Sequence, residues 1–342
     1  IEISKKYKNI DTLFVDDSFL DSLNYGEGWM WDEGPWWYAA PISALSINDN
    51  CINFYLEPGS LGQKASVNYF PKTSYITVLN KSLTVNDTLD FKKIKIDRNW
   101  LDSKNDFIIN GEIMDTAKID TFYRNINNPT IFVGTIFREL LKKNGSKVKH
   151  LSTISKRPND YFNLIGHQSD ALLSSAKNLM NESDNLTAEL FIKSIGALDT
   201  LPGTWKTGLD SVKSFLAKEV LIDTSNIRLA DGSGVSRYNL TSSAQLIALL
   251  KWMYKSDYKD DFIYTLPGGG WPKSTLEKRF KTEAGLVRAK TGGLSGARNL
   301  AGYINSKKYG DVAFAILMNG YIGSSSKYTR LQNQIVKAII YD

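Results

Sequence analysis

The 342-residue sequence contains one cysteine and two histidines, and their scarcity excludes several kinds of functional site. With Cys51 alone, no disulfide forms within the chain. Two histidines, His150 and His167, and one cysteine argue against a histidine-rich metal site. They also leave few candidates for the base of a Ser-His-Asp triad. A nucleophilic serine in this protein would therefore need another kind of base.

The sequence also lacks long apolar runs and blocks of one charge. No segment is apolar over the length that a membrane-spanning helix requires. The net charge is +6, with lysine, aspartate and glutamate scattered along the chain, and such a surface suits an anionic polymer such as nucleic acid or cell wall. Because no arginine-rich stripe, zinc-ligand spacing or RNA-binding motif is present, we expect no nucleic-acid partner, no metal and no cofactor.

Residues 1 to about 160 are predicted to form mainly β-structure. Short segments rich in β-branched and aromatic residues alternate with clusters of Asn, Asp, Gly and Pro. One helix is expected at about Ile131–Lys143, where Asn144 and Gly145 end it. The expected strands are Thr12–Val15, Ile42–Ile47, Ile52–Leu56, Tyr75–Leu79, Phe91–Ile96 and Phe107–Ile113.

From about residue 160 the apolar residues recur at helical spacing, and the last 60 residues change to strands. The short turns between these strands predict an antiparallel meander, which a final amphipathic helix covers. The expected helices are Leu172–Met180, a second from the break at Asn181–Asn185 to Gly196, Trp205–Lys218, Ser242–Tyr254 and one from about Ser325. The expected strands are Ala284–Lys290, Asn299–Asn305 and Val312–Asn319.

Three short polar motifs in this half have residue types that suit acyl transfer. They are Ser183–Asn185 in the break between two helices, Asp231–Gly234 in a polar loop and Lys290–Gly292 at the end of a strand. Acyl transfer needs a nucleophile, a base, a proton path to the leaving group and donors for the oxyanion. Without histidine, a lysine can be the base if burial and nearby positive charge lower its pKa.

Each residue then has an expected part in that chemistry. Lys290 would supply the positive charge and attract a substrate carboxylate. Ser183 would relay a proton to the leaving amine, and Asn185 would orient the lysine base and the substrate amide. An extended peptide would pair with strand 284–292 by edge addition, which makes the amide of Gly293 a natural oxyanion donor.

Each motif also has a plainer interpretation. Ser183–Asn185 contains the best capping residues and is typical of a helix N-terminus. Asp231–Gly234 is typical of a turn. A second K-T-G string, Lys206–Gly208, starts an expected helix where no strand edge is available, and we interpret it as coincidence. A nucleotide-binding interpretation of Thr291–Gly296 fails because a strand, not a helix, follows the glycines.

Longer segments, spread over nearly the whole chain, are more distinctive than these triplets. They are Val15–Phe19 (V-D-D-S-F), Gly28–Asp32 (G-W-M-W-D), Trp36–Tyr38, Ile42–Leu45, Met180–Ala188, Gly203–Trp205, Ala230–Asn239 (A-D-G-S-G-V-S-R-Y-N) and Arg288–Ile304 (R-A-K-T-G-G-L-S-G-A-R-N-L-A-G-Y-I). In this order they resemble the class C low-molecular-mass penicillin-binding proteins, the D-Ala-D-Ala carboxypeptidases and endopeptidases of the serine peptidase S13 type. Within that resemblance the S-D-N and K-T-G motifs belong together.

The resemblance implies an α+β fold and a domain plan. A penicillin-binding, β-lactamase-like acyltransferase domain, an antiparallel sheet flanked by helices, would carry two inserted β-rich domains. Residues 1–48 and 120–160 would form one inserted domain, 49–119 the second, and 161–342 the C-terminal part of the acyltransferase domain. The resemblance also implies action on peptidoglycan stem peptides in the periplasm or elsewhere outside the inner membrane, and acylation by β-lactam antibiotics.

The resemblance assigns site residues by position. The catalytic residues would be Ser183, Asn185 and Lys290, and the substrate-binding residues would be Thr291, Gly292, Gly293, Leu294, Arg237, Tyr38 and Trp29. Packing in a core or domain interface is an equal alternative for Trp29. The family usually has Thr or Ser where Gly293 stands, so one hydroxyl is missing from the substrate carboxylate site.

The family's S-x-x-K motif, which holds the nucleophile and its lysine base, lies upstream of the V-D-D-S stretch. Here only residues 1–14 precede that stretch, and the four S-x-x-K strings of the sequence all come later. These strings are Ser146/Lys149, Ser174/Lys177, Ser256/Lys259 and Ser324/Lys327. Either the motif lies on an N-terminal segment outside this sequence, or the natural protein has lost it. We expect the first, because without that segment the family sheet would lack two strands and leave an unpaired edge.

Two other functions stay open at this point. A non-catalytic homologue that binds peptidoglycan would use the aromatic residues at 29–38 and the inserted domains as a docking surface. A β-lactamase of the same superfamily is disfavoured, because the large β-rich insertions before S-D-N resemble the carboxypeptidases.

Overall fold

The computed structural model describes residues 2–87, 89–155 and 160–341. Their contacts divide the chain into two units. Unit 1 comprises Ile1–Phe162 with Ala197–Thr204, and unit 2 comprises Asn163–Gly196 with Trp205–Asp342. Within the described ranges, no helix combines the length and the apolar character that a bilayer crossing needs.

Unit 1 is built mainly of short strands, as predicted for this part of the chain. Its helices are α1 (Glu2–Lys6) and α2 (Pro129–Lys143). Its strands are β1 (Asn9–Val15), β2 (Cys51–Glu57), β3 (Ser66–Phe70), β4 (Thr77–Asn80), β5 (Leu83–Val85), β6 (Lys95–Arg98), β7 (Asp106–Asn110), β8 (Glu112–Met114), β9 (Asp120–Asn125) and β10 (Lys147–Thr153).

The strands of unit 1 form small sheets around an apolar core. β2 pairs antiparallel with β3 and β9, β7 pairs with β4 and β6, β5 pairs with β8, and β1 lies parallel to β10. Phe54, Phe107 and Phe132 are fully buried and join these sheets to α2. Helix α2 begins where the Asn128 side chain accepts a hydrogen bond from the Ile131 amide, and Pro129 occupies the first turn.

Three strand predictions in unit 1 need correction, and one of them is Phe91–Ile96, because the observed strand there is Lys95–Arg98. Ile42–Ile47 is not a strand: Ile42 is fully buried, but its backbone bonds to Asn24 rather than to a sheet neighbour. The predicted strand Phe107–Ile113 is two strands, because Gly111 between them has a φ of 96° and lies against the Lys92 carbonyl. A side chain at this position would meet that carbonyl oxygen at 2.7 Å, so only glycine allows the break.

The division of residues 1–160 into two inserted domains stays a prediction. One sheet joins β2 to β9, which lie on the two sides of the expected boundary at residue 120. Residues 197–204 also belong to unit 1, where the Gly203 amide donates to the Phe19 carbonyl at 2.9 Å.

Unit 2 contains helices followed by a three-stranded sheet. The predicted Trp205–Lys218 helix has the observed bounds, whereas the helix at Lys259–Thr265 was not predicted. The helices are α3 (Leu172–Asn178), α4 (Asn185–Asp199), α5 (Trp205–Lys218), α6 (Ser243–Lys255), α7 (Lys259–Thr265) and α8 (Ser326–Tyr341). The strands are β11 (Val287–Leu294), β12 (Ala297–Ser306) and β13 (Gly310–Asn319).

The sheet of unit 2 is the predicted antiparallel meander, in the order β11-β12-β13. Helix α8 packs on one face, where Val287 and Ala289 of β11 are buried with Val336 and Ile340. Helices α6 and α7 cover the other face, where the Tyr303 hydroxyl donates to the Leu250 carbonyl at 2.7 Å. Side chains that alternate along β11 therefore point to two different environments.

Candidate active site

Ser183 lies in a strained backbone conformation at the break between α3 and α4. The chain after α3 widens into a π-helical turn, Leu179–Ser183, and Ser183 itself has a φ of 63°. This left-handed conformation costs a non-glycine residue on the order of 1–3 kcal/mol, and such strain concentrates at functional sites. The turn directs the half-buried serine side chain away from the regular helical face.

The Ser183 hydroxyl meets Lys290 from β11. Lys290 Nζ lies 2.6 Å from Ser183 Oγ and 2.9 Å from the carbonyl oxygen of Thr291, and it donates to both. Burial lowers the pKa of Lys290 from 10.5 to about 8. The two motifs therefore converge, although they are 107 residues apart in sequence.

The plainer interpretation of S-D-N also applies, but to the middle residue. Asp184 Oδ1 accepts a hydrogen bond from the Thr187 amide at 3.3 Å, and the Thr187 hydroxyl donates to the other carboxylate oxygen. Asp184 is thus the cap of α4, and Asn185 is the half-buried first residue of that helix. The motif caps a helix and directs Ser183 towards Lys290 at the same time.

Strand β11 lies at an edge of the sheet, and its outer side is only partly covered. The segment 267–269 pairs with its first half: the Ala289 amide donates to the Pro267 carbonyl, and the Gly269 amide to the Val287 carbonyl. By strand alternation, the backbone groups of Thr291 and Gly293 point to the same outer side. Within the described ranges no backbone hydrogen bond reaches these outward groups, and Lys290 Nζ donates to the Thr291 carbonyl, so the Thr291 amide and both outward groups of Gly293 can pair with an extended peptide.

The other predicted residues of β11 complete this edge. Gly292 pairs with Asn299 of β12, and Leu294, the half-buried last residue of the strand, pairs with Ala297. The observed strand therefore runs four residues beyond the predicted end at Lys290, through all of K-T-G-G-L.

The Asp231–Gly234 loop is a turn folded around a buried carboxylate, as the plainer interpretation proposed. Asp231 accepts hydrogen bonds from the amides of Gly234 and Ser236 and from the Asn239 side chain. Arg237 extends from the same loop, and its Nη1 donates to the Ser295 carbonyl at 3.0 Å. The turn thus places an exposed guanidinium next to the end of β11.

Glu189 of α4 holds this loop in place and was not predicted from the sequence. Its fully buried carboxylate accepts hydrogen bonds from the amides of Gly232 and Ser233, each at 2.8 Å, and from the Trp205 indole at 2.7 Å. The pKa of Glu189 is raised mainly by burial and, to a smaller extent, by the negative charge of the nearby Asp231 carboxylate. Leu186, Glu189, Lys193 and Gly196 form one buried stripe of α4, but two of the four are charged, so the sequence pattern gives no signal that Glu189 is buried.

Tyr38 and Trp29 belong to unit 1, and the structure gives each a local setting. The Tyr38 hydroxyl donates to Glu33 at 2.5 Å. Burial is the main cause that raises the pKa of Tyr38, and this hydrogen bond is the second cause. Trp29 packs edge-on against Tyr25 and closely over Gly26, whose added Cβ would lie 2.6 Å from the indole nitrogen. Their substrate-binding roles stay predictions.

The four S-x-x-K strings have other partners. The hydroxyls of three of the serines bond to other groups: Ser146 to Tyr7, Ser256 to Met253 and Ser324 to Ser326. Lys149 forms an ion pair with Asp11, and the other three lysines lie over aromatic rings. Lys177, for example, lies 3.7 Å from the centre of the Tyr264 ring. The structure therefore does not assign the nucleophile and base of acyl transfer to any of these strings.

Comparison with solved structures identifies the fold. The whole chain superposes on penicillin binding protein 4 (dacB) from Haemophilus influenzae with a TM-score of 0.83 at 24% identity, covering 78% of that chain. A structure of the same protein complexed with a β-lactam gives a TM-score of 0.77 at 22% identity, over 100% of this chain and 77% of that one. The predicted α+β penicillin-binding fold is confirmed.

The family follows from sequence comparison. Residues 5–339 match the D-Ala-D-Ala carboxypeptidase 3 (S13) family, and the chain belongs to that family, as its motifs predicted. A D-alanyl-D-alanine carboxypeptidase of Actinomadura sp. strain R39 is 30% identical over 326 residues, which is 91% of this chain and 60% of that protein. D-alanyl-D-alanine carboxypeptidase DacB of H. influenzae is 27% identical over 314 residues, or 90% and 65%. The chain spans less than two thirds of either relative.

Proposed function

We propose that the complete protein is a serine-type D-Ala-D-Ala peptidase that forms an acyl-enzyme with peptidoglycan stem peptides and with β-lactams. The observation that carries the proposal is the contact of Lys290 with Ser183 beside the open edge of β11. The nucleophilic serine and its lysine base would come from a segment beyond these 342 residues, because no S-x-x-K string within them reaches this contact.

The proposed proton path runs from Lys290 through Ser183 to the leaving amine. Lys290 donates to Ser183 Oγ, which leaves the hydroxyl proton of Ser183 available for a nitrogen on the other side. As the amine of the terminal D-alanine departs, Ser183 gives it that proton and takes one from Lys290. A lysine with a pKa of about 8 makes this transfer easier near neutral pH than an exposed lysine would.

The open edge of β11 would bind and polarise the peptide. An acyl donor laid along the edge would pair with the outward backbone groups of Thr291 and Gly293. The Gly293 amide would then donate to the carbonyl oxygen under attack and stabilise the charge that develops on it. Asn185, Leu294 and the exposed Arg237 flank this path, and we assign them to substrate orientation.

The proposed substrate sets the proposed location. D-Ala-D-Ala stem peptides belong to peptidoglycan, so the protein would act in the periplasm or another compartment outside the inner membrane. The known relatives are named for the same activity, and one solved relative holds a β-lactam.

The direct test is the release of D-alanine by the full-length gene product from a peptide that ends in D-Ala-D-Ala. We expect steady release, which prior treatment with benzylpenicillin abolishes. A full-length protein that contains an upstream S-x-x-K, releases no D-alanine and binds no labelled penicillin would refute the proposal.

The docking alternative rests on exposed aromatic side chains of unit 1. Trp31, Trp36 and Trp37 are 77%, 45% and 43% exposed, and the Arg124 guanidinium lies over the Trp36 ring. A docking module, however, has no use for a strained serine held against a half-buried lysine. Binding of peptidoglycan without any turnover or penicillin label would favour this alternative.

A further inference from the structure

The side chain of Arg298 occupies the space that a side chain at position 293 would need. Gly293 of β11 and Arg298 of β12 are direct partners across the antiparallel pair. A Cβ added to Gly293 would lie 2.7 Å from Arg298 Nη1, closer than real Cβ atoms come to any neighbour. Nη1 is the far end of a flexible side chain, so a Thr or Ser at position 293 would displace the guanidinium from its present place beside the strand.

Arg298 lies on the α8 face of the sheet, together with the side chain of Thr291. Val287 and Ala289 point to that face, so strand alternation directs Thr291 and position 293 to it as well. Arg298 Nε donates to the Thr329 hydroxyl of α8 at 3.0 Å, which holds the guanidinium beside Gly293. The guanidinium and the Thr291 hydroxyl are thus neighbours at the edge where the substrate would pair.

The positive charge of Arg298 is not balanced by an acidic side chain. The pKa of the neighbouring Arg279 is lowered to about 10. The main cause is the burial of Arg279, and the second cause is the positive charge of Arg298. Arg279 is only 6% exposed, bonds to Gln332 and Asn333, and has an Nη1 without a protein partner. Within the described residues neither arginine forms an ion pair, so the charge of Arg298 is available to attract an anion at this end of β11.

We propose that Arg298 binds the free carboxylate of the acyl donor, in place of the hydroxyl that Thr or Ser would supply at position 293. A guanidinium binds a carboxylate through two parallel N–H donors, a stronger and more directional contact than one hydroxyl makes. The assignment rests on the proposed function and adds a specificity-determining residue to it.

The test uses the full-length protein and two acyl donors that differ in one group. One peptide ends in D-Ala-D-Ala with a free carboxylate, and the other is its C-terminal amide. Replacing Arg298 by Gln should lower kcat/KM for the peptide with the free carboxylate by about 10- to 100-fold, because that is the usual contribution of a charged hydrogen bond. The kcat/KM for the amide should change by less than about twofold. Arg330→Gln removes an equal charge from an exposed site on α8 and should change neither.

A rescue variant separates substrate binding from structural damage. Gly293→Thr combined with Arg298→Ser frees the space and restores a hydroxyl, so it should recover part of the preference for the acid that Arg298→Gln loses. Melting temperatures should stay close to that of the parent protein for each variant.

The outcomes are distinct. Loss of activity on the acid alone supports the assignment. Equal loss on both donors, or no loss on either, overturns it and leaves the proposed function standing. A parent protein that turns over neither donor overturns the proposed function, and this assignment with it.

Discussion

The chain contains the tripeptide Lys-Thr-Gly twice, and the two copies have opposite surroundings. Lys206 begins the first turn of α5, is largely exposed, and pairs with Asp210 one turn later at 2.7 Å, which raises its pKa. Lys290 lies in an edge strand, is largely buried, touches Ser183, and has a pKa lowered to about 8. The lysine of the same tripeptide thus forms a surface ion pair in one place and a hydrogen bond to a strained serine in the other.

The comparison shows that the secondary structure around a motif, and not the motif itself, determines its chemistry. In a helix, successive side chains point in different directions around the axis, and the backbone groups form hydrogen bonds within the helix itself. An edge strand leaves alternate backbone groups open and sends alternate side chains to opposite faces. Only the second arrangement offers a peptide both hydrogen bonds and a lysine.

The two lysines give the largest expected difference. Lys290→Gln should reduce acylation of the full-length protein by benzylpenicillin by roughly 10³-fold, because it removes the proton donor and the positive charge of the site. Lys206→Gln should leave the rate unchanged. Stopped-flow measurement with a fluorescent penicillin checks both, and equal rates for the two variants would contradict the account.

Ser183 and Asp184 are neighbours in sequence, but replacing Ser183 should reduce activity, whereas replacing Asp184 should reduce stability. Ser183→Ala should slow D-alanine release by roughly 10²-fold with little change in stability, because a proton relay is lost. Asp184→Ala should cost about 1 kcal/mol of unfolding free energy, because α4 loses its cap. Initial rates and urea unfolding distinguish the two effects, and a Ser183→Ala variant with full activity would rule out the relay.

The glycines of the two triplets should respond to alanine in opposite ways. A Cβ at Gly208 would lie 1.9 Å from the Ile192 carbonyl oxygen, where α5 crosses α4, whereas one at Gly292 would be 3.4 Å from the nearest atom. Gly208→Ala should therefore destabilise the protein by about 2–3 kcal/mol, although alanine is the better helix former. Gly292→Ala should cost less than about 1 kcal/mol. A reversed order in chemical unfolding would show that the α4–α5 contact is described wrongly.

The last prediction concerns pH. The pKa of Lys290 is about 8 in the folded protein and 10.5 for an ordinary lysine, so between these values the unfolded chain binds a proton that the folded chain does not. The stability contribution of Lys290 should therefore rise with pH in this window, by about 1.4 kcal/mol per unit, and stay constant below pH 8. The unfolding free energy of the parent minus that of Lys290→Met isolates this change, and a flat difference up to pH 10 would contradict the lowered pKa.

Much of unit 2 could be predicted from the sequence because its elements have clear periodicity. Helix α5 has the predicted bounds, and β12, β13 and α8 differ by only a few residues from their predictions. Strand β11 is predicted to end at Lys290, but it continues to Leu294 through two glycines. They extend as a strand here because β12 pairs with them residue by residue.

The parts that failed depend on contacts between distant residues. Ile42–Ile47 is as apolar as a strand, but hydrogen bonds to Asn24 and a buried Ser43 pair with Thr130 hold it as an irregular segment. The sequence pattern predicts Glu189 to be a polar residue on the surface of a helix, but in the structure the loop at 231–234 covers it and donates two backbone hydrogen bonds to its carboxylate. The place of Arg298 beside Gly293 has no local signal either, because it follows from the pairing of β11 with β12.

A crystal structure of the full-length protein acylated by benzylpenicillin would test the central claim most directly. We predict that the acyl carbonyl oxygen lies roughly 2.7–3.1 Å from the Gly293 amide, with the adduct alongside β11 and Ser183 and Lys290 still in contact. An adduct bound away from this strand edge, or one that separates Ser183 from Lys290, would contradict the account.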